Sequence, residues 1–178
     1  MTKTTIKALF NAIQEGDTRT LRQILAAEPD ALEAIGEHNR NVRDKTPLMF
    51  AMQCRKLRIA HELLDRGANA AAEMAGGPRS SVLSLCMQFA YCDAENHDEW
   101  IRLATRLIDR GADPNTGLWP ALHGFGKIVA RTDLIRLALE RGADPDRQLG
   151  DLGSTVRELV NINRHLFSAE VLDLFGIA

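Results

Sequence analysis

Leu63-Leu64-Asp65-Arg66-Gly67-Ala68-Asn69 returns as Leu107-Ile108-Asp109-Arg110-Gly111-Ala112-Asp113, and again as Leu137-Ala138-Leu139-Glu140-Arg141-Gly142-Ala143-Asp144. One phrase used three times in 178 residues marks a chain of repeated units. Each such unit is a small supersecondary piece that must stack on its neighbours to bury its apolar faces. In every copy an apolar-periodic run ends in Arg and is followed by Gly. That is where a helix closes on a left-handed residue, a conformation Gly adopts without a Cβ clash. The Ala-Asn or Ala-Asp that follows turns the chain outward. The three glycines stand 44 and then 31 residues apart, scattered about a period of roughly 33 residues.

Upstream of the first copy lies Thr46-Pro47-Leu48-Met49-Phe50-Ala51. The Thr46 hydroxyl is placed to cap a helix. Pro47 then takes the first helical position, where its missing N–H costs nothing. Gly67 follows Thr46 by 21 residues. The two halves in this register resemble the ankyrin repeat, whose helix opens on Thr-Pro-Leu-His-x-Ala. The resemblance implies an all-α ankyrin-repeat solenoid of about five helix-pair units with atypical terminal caps, of the small stand-alone kind found in bacteria. One domain then spans residues 1–178, with units at about 5–35, 36–69, 70–113, 114–144 and 145–178. The family's His is Met49 in the second unit and Ser84 in the third; it returns as His123 if the fourth unit opens on Pro120-Ala121-Leu122-His123.

The other units depart from the pattern in definite ways. In the first, a helix ends at Gly16, a second begins near Thr18, and Glu28-Pro29-Asp30 replaces the Gly-Ala-Asp exit. The third runs from Ser81-Val82-Leu83-Ser84-Leu85-Cys86 to Gly111, nine residues more than the second. That excess, about Tyr91 to Glu99, is expected between its two helices. The last opens on Gly153-Ser154-Thr155-Val156-Arg157-Glu158-Leu159, with a second helix over about 168–175. Ala12, Ala51 and Cys86 fall where inner helices pack closely. Leu48, Leu63, Leu64, Leu83, Leu103, Leu107 and Leu139 are expected to fill the layer, with Trp100 in the core.

Composition excludes several functional classes. Lys and Arg number 22 against 24 Asp and Glu, a net charge of −2. That balance argues against nucleic acid, whose binding leans on many phosphate contacts, and against a polybasic membrane surface. No apolar run is long enough to span a bilayer, and Met1–Lys7 does not read as a secretory leader. Three irregularly spaced cysteines, Cys54, Cys86 and Cys92, fit a reducing compartment rather than a disulfide framework. A cytoplasmic monomer is expected. Cys86, Cys92 and His97 lack the tight ligand spacing of a zinc site. Gly124-Phe125-Gly126 lacks the remaining glycine of a dinucleotide loop. No catalytic, cofactor-binding or metal-binding residue is assigned.

What a repeat stack leaves over is a binding strip along its inner helices and loops. The candidate partner-binding residues are Arg40, Arg43, Phe50, Gln53, Met74, Arg79, Gln88, Phe89 and Trp119, with Asn11, Gln14, His38 and Leu118 beside them. Trp and Arg are enriched at binding hot spots. Phe50 and Phe89 either face the groove or pack on neighbouring helices. The four acidic residues in 91–99 form either a docking loop for a basic partner or a solvated loop leading into a helix. The finger 68–80, with Gly76-Gly77-Pro78, is either an adaptable contact carrying Met74 or a slack connection. The family resemblance implies binding to another protein by occlusion or scaffolding, without catalysis. A cytoplasmic inhibitor or immunity protein of a toxin is the sharper form of that expectation, and a generic adaptor the broader one. The alternative from another class is an enzyme or accessory subunit using the 91–99 insertion and the finger loops.

Overall fold

The computed structural model describes residues 2–37, 39–74, 80–123, 130–148 and 153–177. Its helices follow one another in pairs: α1 (Lys3–Glu15) and α2 (Thr18–Ala27), α3 (Pro47–Gln53) and α4 (Leu57–Asp65), α5 (Val82–Cys92) and α6 (His97–Asp109), α7 (Asn115–His123) and α8 (Thr132–Glu140), α9 (Val156–Ile162) and α10 (Ala169–Leu174). The odd-numbered members pack in sequence, α1 on α3, α3 on α5 and α5 on α7. The even-numbered ones meet as α4 on α6 and α8 on α10. The result is an inner and an outer row of helices. Among the described residues β structure is confined to isolated bridges, Gly36 to Arg43, Glu73 to Ser81 and Gln148 to Thr155. Each ties down the finger loop that precedes an inner helix.

Hydroxyl caps start five of these ten helices, α1, α3, α5, α9 and α10. Thr46 Oγ1 accepts from the Met49 N–H at 3.3 Å, with Pro47 in the first turn. Ser81 Oγ accepts from Ser84 at 3.0 Å. Thr155 and Glu158 form a reciprocal capping box at 3.1 and 2.8 Å. Each cap satisfies an N–H that the helix itself cannot, typically for ~1 kcal/mol. Glycine ends the outer helices: Gly67, Gly111 and Gly142 have φ of 90°, 97° and 91°. A Cβ built on Gly111 would meet nothing within 4 Å. Gly111→Val is therefore expected to destabilise through the backbone alone, by about 1–2 kcal/mol. Urea unfolding checks this, and an unchanged midpoint contradicts it.

Two departures from the sequence reading have clear causes. The extra nine residues of the third unit do not form a loop. They lengthen α5 to 11 residues against 7 in α3, and α6 to 13 against 9 in α4. Tyr91 continues the apolar face of α5, while Asp98 and Glu99 sit in the first turn of α6, where the helix dipole favours acidic side chains. The fourth unit opens earlier than Pro120. Asp113 Oδ1 accepts from the Asn115 N–H at 3.0 Å and starts α7 there, leaving Pro120 inside the helix. The helix therefore already includes Asn115–Trp119, ahead of the Pro120-Ala121-Leu122-His123 opening, and Leu118 is fully buried instead of lying in a loop.

The core fills the space between the rows. Phe10 and Phe50 pack with ring centroids 5.2 Å apart. Trp100 on α6 is completely buried, with its indole stacked on Phe89 at 5.5 Å. In the fourth unit Leu134, Ile135 and Ala138 are fully buried, and Leu139 is only partly covered.

Candidate functional site

The two rows differ sharply in chemistry. The inner helices α3, α5 and α7 contain no Asp, Glu, Lys or Arg. The outer helices carry Arg, Asp and Glu, and they spend many of these charges on one another. Arg22 of α2 pairs with Glu62 of α4 at 2.7 Å. Asp65, the last residue of α4, pairs with Arg106 of α6 and, at 3.5 Å, with Arg110 just beyond it. Asp109 at the end of α6 pairs with Arg141, which closes α8. Arg136 of α8 reaches Glu170 of α10 at 3.2 Å. The repeated Asp-Arg-Gly phrase therefore does two things: its Gly turns the chain, and its Arg reaches back to the Asp of the preceding copy. Such exposed pairs contribute little one by one, but together they set the register of the stack.

Two histidines belong to this ladder. His61 Nδ1 accepts from Arg106 at 2.8 Å, so its remaining proton sits on Nε2, facing Glu99. Burial first, and then the Arg106 charge, lower its pKa and keep it neutral. His97 at the start of α6 lies 2.5 Å from Asp133 of α8, which Arg131 also holds at 3.0 Å. The finger loops are joined separately. The Asn69 N–H donates to Glu33 at 2.8 Å, Ser81 donates to Thr116 at 2.9 Å, and the Asp144 N–H donates to Asn115 Oδ1 at 2.7 Å.

The sequence-derived candidates fall in different places. Arg40 and Arg43 are exposed on the finger before α3, and Gln53 is exposed at the end of α3. Gln88 and Phe89 on α5 are half-buried, and Trp119 on α7 is likewise half-buried. Met74 is partly covered, against the core. Arg79 and His38 lie outside the described residues, as do Gly76-Gly77-Pro78 and Gly124-Phe125-Gly126. Phe50 is corrected: at 2% exposure it is a core side chain that packs against the tilted ring of Phe10 and offers no groove contact. Phe89 packs on Trp100 while keeping part of its ring accessible.

The 91–99 segment is corrected as an acidic docking loop. Asp93 is 5% exposed and turned inward. It accepts from Trp100 Nε1 at 3.1 Å and from Asn96, and these bonds hold its carboxyl below the usual range. The residues the sequence reading did not assemble are those of one row. Ala12, Ala51 and Cys86 occupy equivalent places on α1, α3 and α5, and two residues further on stand Gln14, Gln53 and Gln88. Superimposing the units on their small residue would have revealed that row.

An open cleft of about 680 Å³ lies between the starts of α2, α4 and α6, with Arg55, Lys56, Arg58, His61 and Glu99 on its walls. Its imidazole is already engaged by Arg106, so no free base faces it. Among the described residues no group of three or more His, Cys, Asp or Glu is placed to hold a metal ion. Burial pushes the Cys86 thiol well above its ordinary range, so it is no nucleophile at neutral pH. No helix among the described residues is long and apolar enough to cross a membrane.

The model of the Ankyrin repeat family matches residues 43–73, from the finger before α3 through α4 to the next finger. The chain carries an ankyrin repeat. The matched stretch contains the Thr46 cap, Pro47 and the Gly67 turn whose geometry is given above. A search of curated proteins finds no match. Ankyrin repeats are protein-interaction modules and are generally not catalytic. The uncharged inner helices α3, α5 and α7 take no part in the ion pairs between units, whereas the fingers share one between Arg147 and Asp113 at 2.9 Å.

Proposed function

We propose that the chain binds another protein through its inner helices and finger loops, acting by occlusion or scaffolding. One observation carries this reading: ion pairs stitch the outer helices to one another, while the inner helices α3, α5 and α7 are uncharged and keep Phe89 and Trp119 partly accessible. A cytoplasmic inhibitor, of the immunity-protein kind that covers a toxin's active site, is the sharpest form of the proposal. It needs a single compact binding face and no chemistry of its own. A monomer is part of the proposal, since the inner face is then free for the partner. Against an enzyme centred on residues 91–99 stand the helical state of most of that segment and the inward turn of Asp93.

The test is affinity capture with the purified chain as bait, followed by titration of the captured protein. Trp119→Ala is expected to weaken binding by about 2 kcal/mol or more, as for a hot-spot residue. Arg43→Glu is expected to weaken it less, with circular dichroism unchanged in both. Binding that survives both substitutions places the interface elsewhere. Turnover of a substrate by the purified chain would restore the enzymatic alternative.

A further inference from the structure

We propose that the open cleft between the starts of α2, α4 and α6 binds a diphosphate group, free or carried at the end of a small phosphate ester. The site is separate from the protein-binding surface above, since it lies at the turns between the two rows and not along the inner helices. The cleft has a volume of about 680 Å³, with Arg55, Lys56 and Arg58 on its walls. Among the described residues the side chains of Lys56 and Arg58 have no hydrogen bond and no ion pair. Arg55 lies 4.0 Å from Asp93, whose carboxylate Trp100 and Asn96 already engage. The acid on the walls, Glu99, is paired with Arg102. The cleft is therefore positive on balance.

The first unit builds the same turn from opposite chemistry. There the Asp17 N–H donates to the Ala12 carbonyl at 2.8 Å, and in the second unit the Lys56 N–H donates to the Ala51 carbonyl, also at 2.8 Å. Gly16 and Arg55 are thus equivalent, and so are Asp17 and Lys56. Gly16 takes a left-handed φ of 82°, and Asp17 caps α2 by accepting from the Arg19 and Thr20 N–H groups. Arg55 instead holds a φ of 55°, which any residue with a Cβ adopts at a cost. Lys56 opens α4 with no side-chain cap, and no acid stands in the first turn. Cations at a helix start oppose its dipole. Stability alone would place Gly and Asp at these two positions, and an anion seated among the three cations reverses that balance.

The arrangement of charge fixes the class of anion. Positions 55, 56 and 58 fall within one turn of chain, so the positive field is compact and not drawn out along a strip, as a polynucleotide backbone requires. Lys56 reaches back over the first unit, since a Cβ placed on Gly16 would lie 3.5 Å from its Nζ. Two guanidinium groups, each able to fork onto phosphate oxygens, and one ammonium match a diphosphate in charge better than they match orthophosphate. No Phe, Tyr or Trp lines the cleft. A nucleoside attached to the diphosphate would find no ring to stack on.

The experiment titrates the full chain with pyrophosphate by calorimetry, alongside thermal melts. Saturable binding is expected at low salt, weakening as added salt screens the charges, with a melting temperature that rises with pyrophosphate concentration. Orthophosphate should bind more weakly, and ADP comparably to pyrophosphate. Lys56→Gln combined with Arg58→Gln should weaken pyrophosphate binding at least about tenfold, the scale of one lost charge-assisted hydrogen bond. Arg136→Gln, on α8 and outside the cleft, should leave it unchanged. Arg55→Gly should also weaken binding, yet melt no lower than the parent without ligand, because glycine suits the left-handed turn. If the double variant loses helical circular dichroism, Arg55→Gly alone decides. No saturable binding at millimolar pyrophosphate overturns the proposal, and so does an affinity that neither cleft variant alters. Equal weakening by Arg136→Gln overturns it as non-specific attraction. ADP binding far tighter than pyrophosphate overturns the diphosphate assignment, and a short polyglutamate peptide that binds as tightly as pyrophosphate overturns it in favour of an acidic polypeptide.

Discussion

Trp100→Ala is expected to destabilise the chain by about 3–5 kcal/mol, the usual cost of truncating a large buried aromatic side chain. Trp100 is the largest fully buried side chain and sits between α5 and α6, where the extra turns of the third unit meet. Its loss opens a cavity, removes the stack on Phe89, and takes the indole N–H from Asp93. Asp93 would then be a nearly buried carboxylate left with Asn96 and, at 4.0 Å, Arg55. Trp100→Phe separates the effects: it restores most of the volume and leaves only the lost hydrogen bond, for which about 1–3 kcal/mol is expected. The Asp93 contribution also has a pH signature. Its folded-state pKa is depressed, so its stabilisation is complete above the unfolded value of about 4 and is lost as pH falls through the folded value. Acid titration of the Trp100→Phe variant should therefore show a shallower loss of stability than the parent. Equal melting of parent and Trp100→Ala would contradict the packing described for the third unit.

Deletion of residues 150–178 is expected to leave a chain that aggregates. In a repeat stack each unit is stabilised by its nearest neighbours, so the end unit shields an apolar face that cannot stand in water. Here α10 packs on α8, and Val156, Val160, Val171 and Phe175 are buried at that end. Each such side chain contributes about 1.5–3 kcal/mol when covered, and the uncovered face of the fourth unit adds to the loss. Size-exclusion chromatography checks the outcome. A truncated chain that elutes as a monomer and melts like the parent would show that this unit does not cap the stack.

Much of the fold was legible in local chemistry. The Thr46-Pro47 cap and the Gly67, Gly111 and Gly142 turns depend on neighbouring residues only, and the structure has them where the sequence places them. The register of the fourth unit was not legible, because Pro120 imitates a helix start and the Asp113–Asn115 turn that opens α7 leaves a weaker trace. The 91–99 segment read as an inserted loop because the third unit is nine residues longer than the second, and length alone does not show that the excess extends α5 and α6. Only tertiary structure shows Asp93 turned under Trp100, a pairing between an acidic residue and an indole seven residues on. Phe50 could not be assigned to core or groove from periodicity, since the partner that settles it, Phe10, belongs to the preceding unit. The charge ladder was present in the repeated phrase, but its pairs form between copies and become visible only once the copies are stacked.

Hydroxyl-radical footprinting of the chain, alone and bound to the protein it captures, tests most directly which row makes the contact. Oxidation of Phe89, Tyr91 and Trp119 on the inner helices is expected to slow on binding, while Ile101, Ile108 and Leu137 on the outer helices react as before. Protection confined to those three outer residues, with the inner aromatics unchanged, would contradict the account.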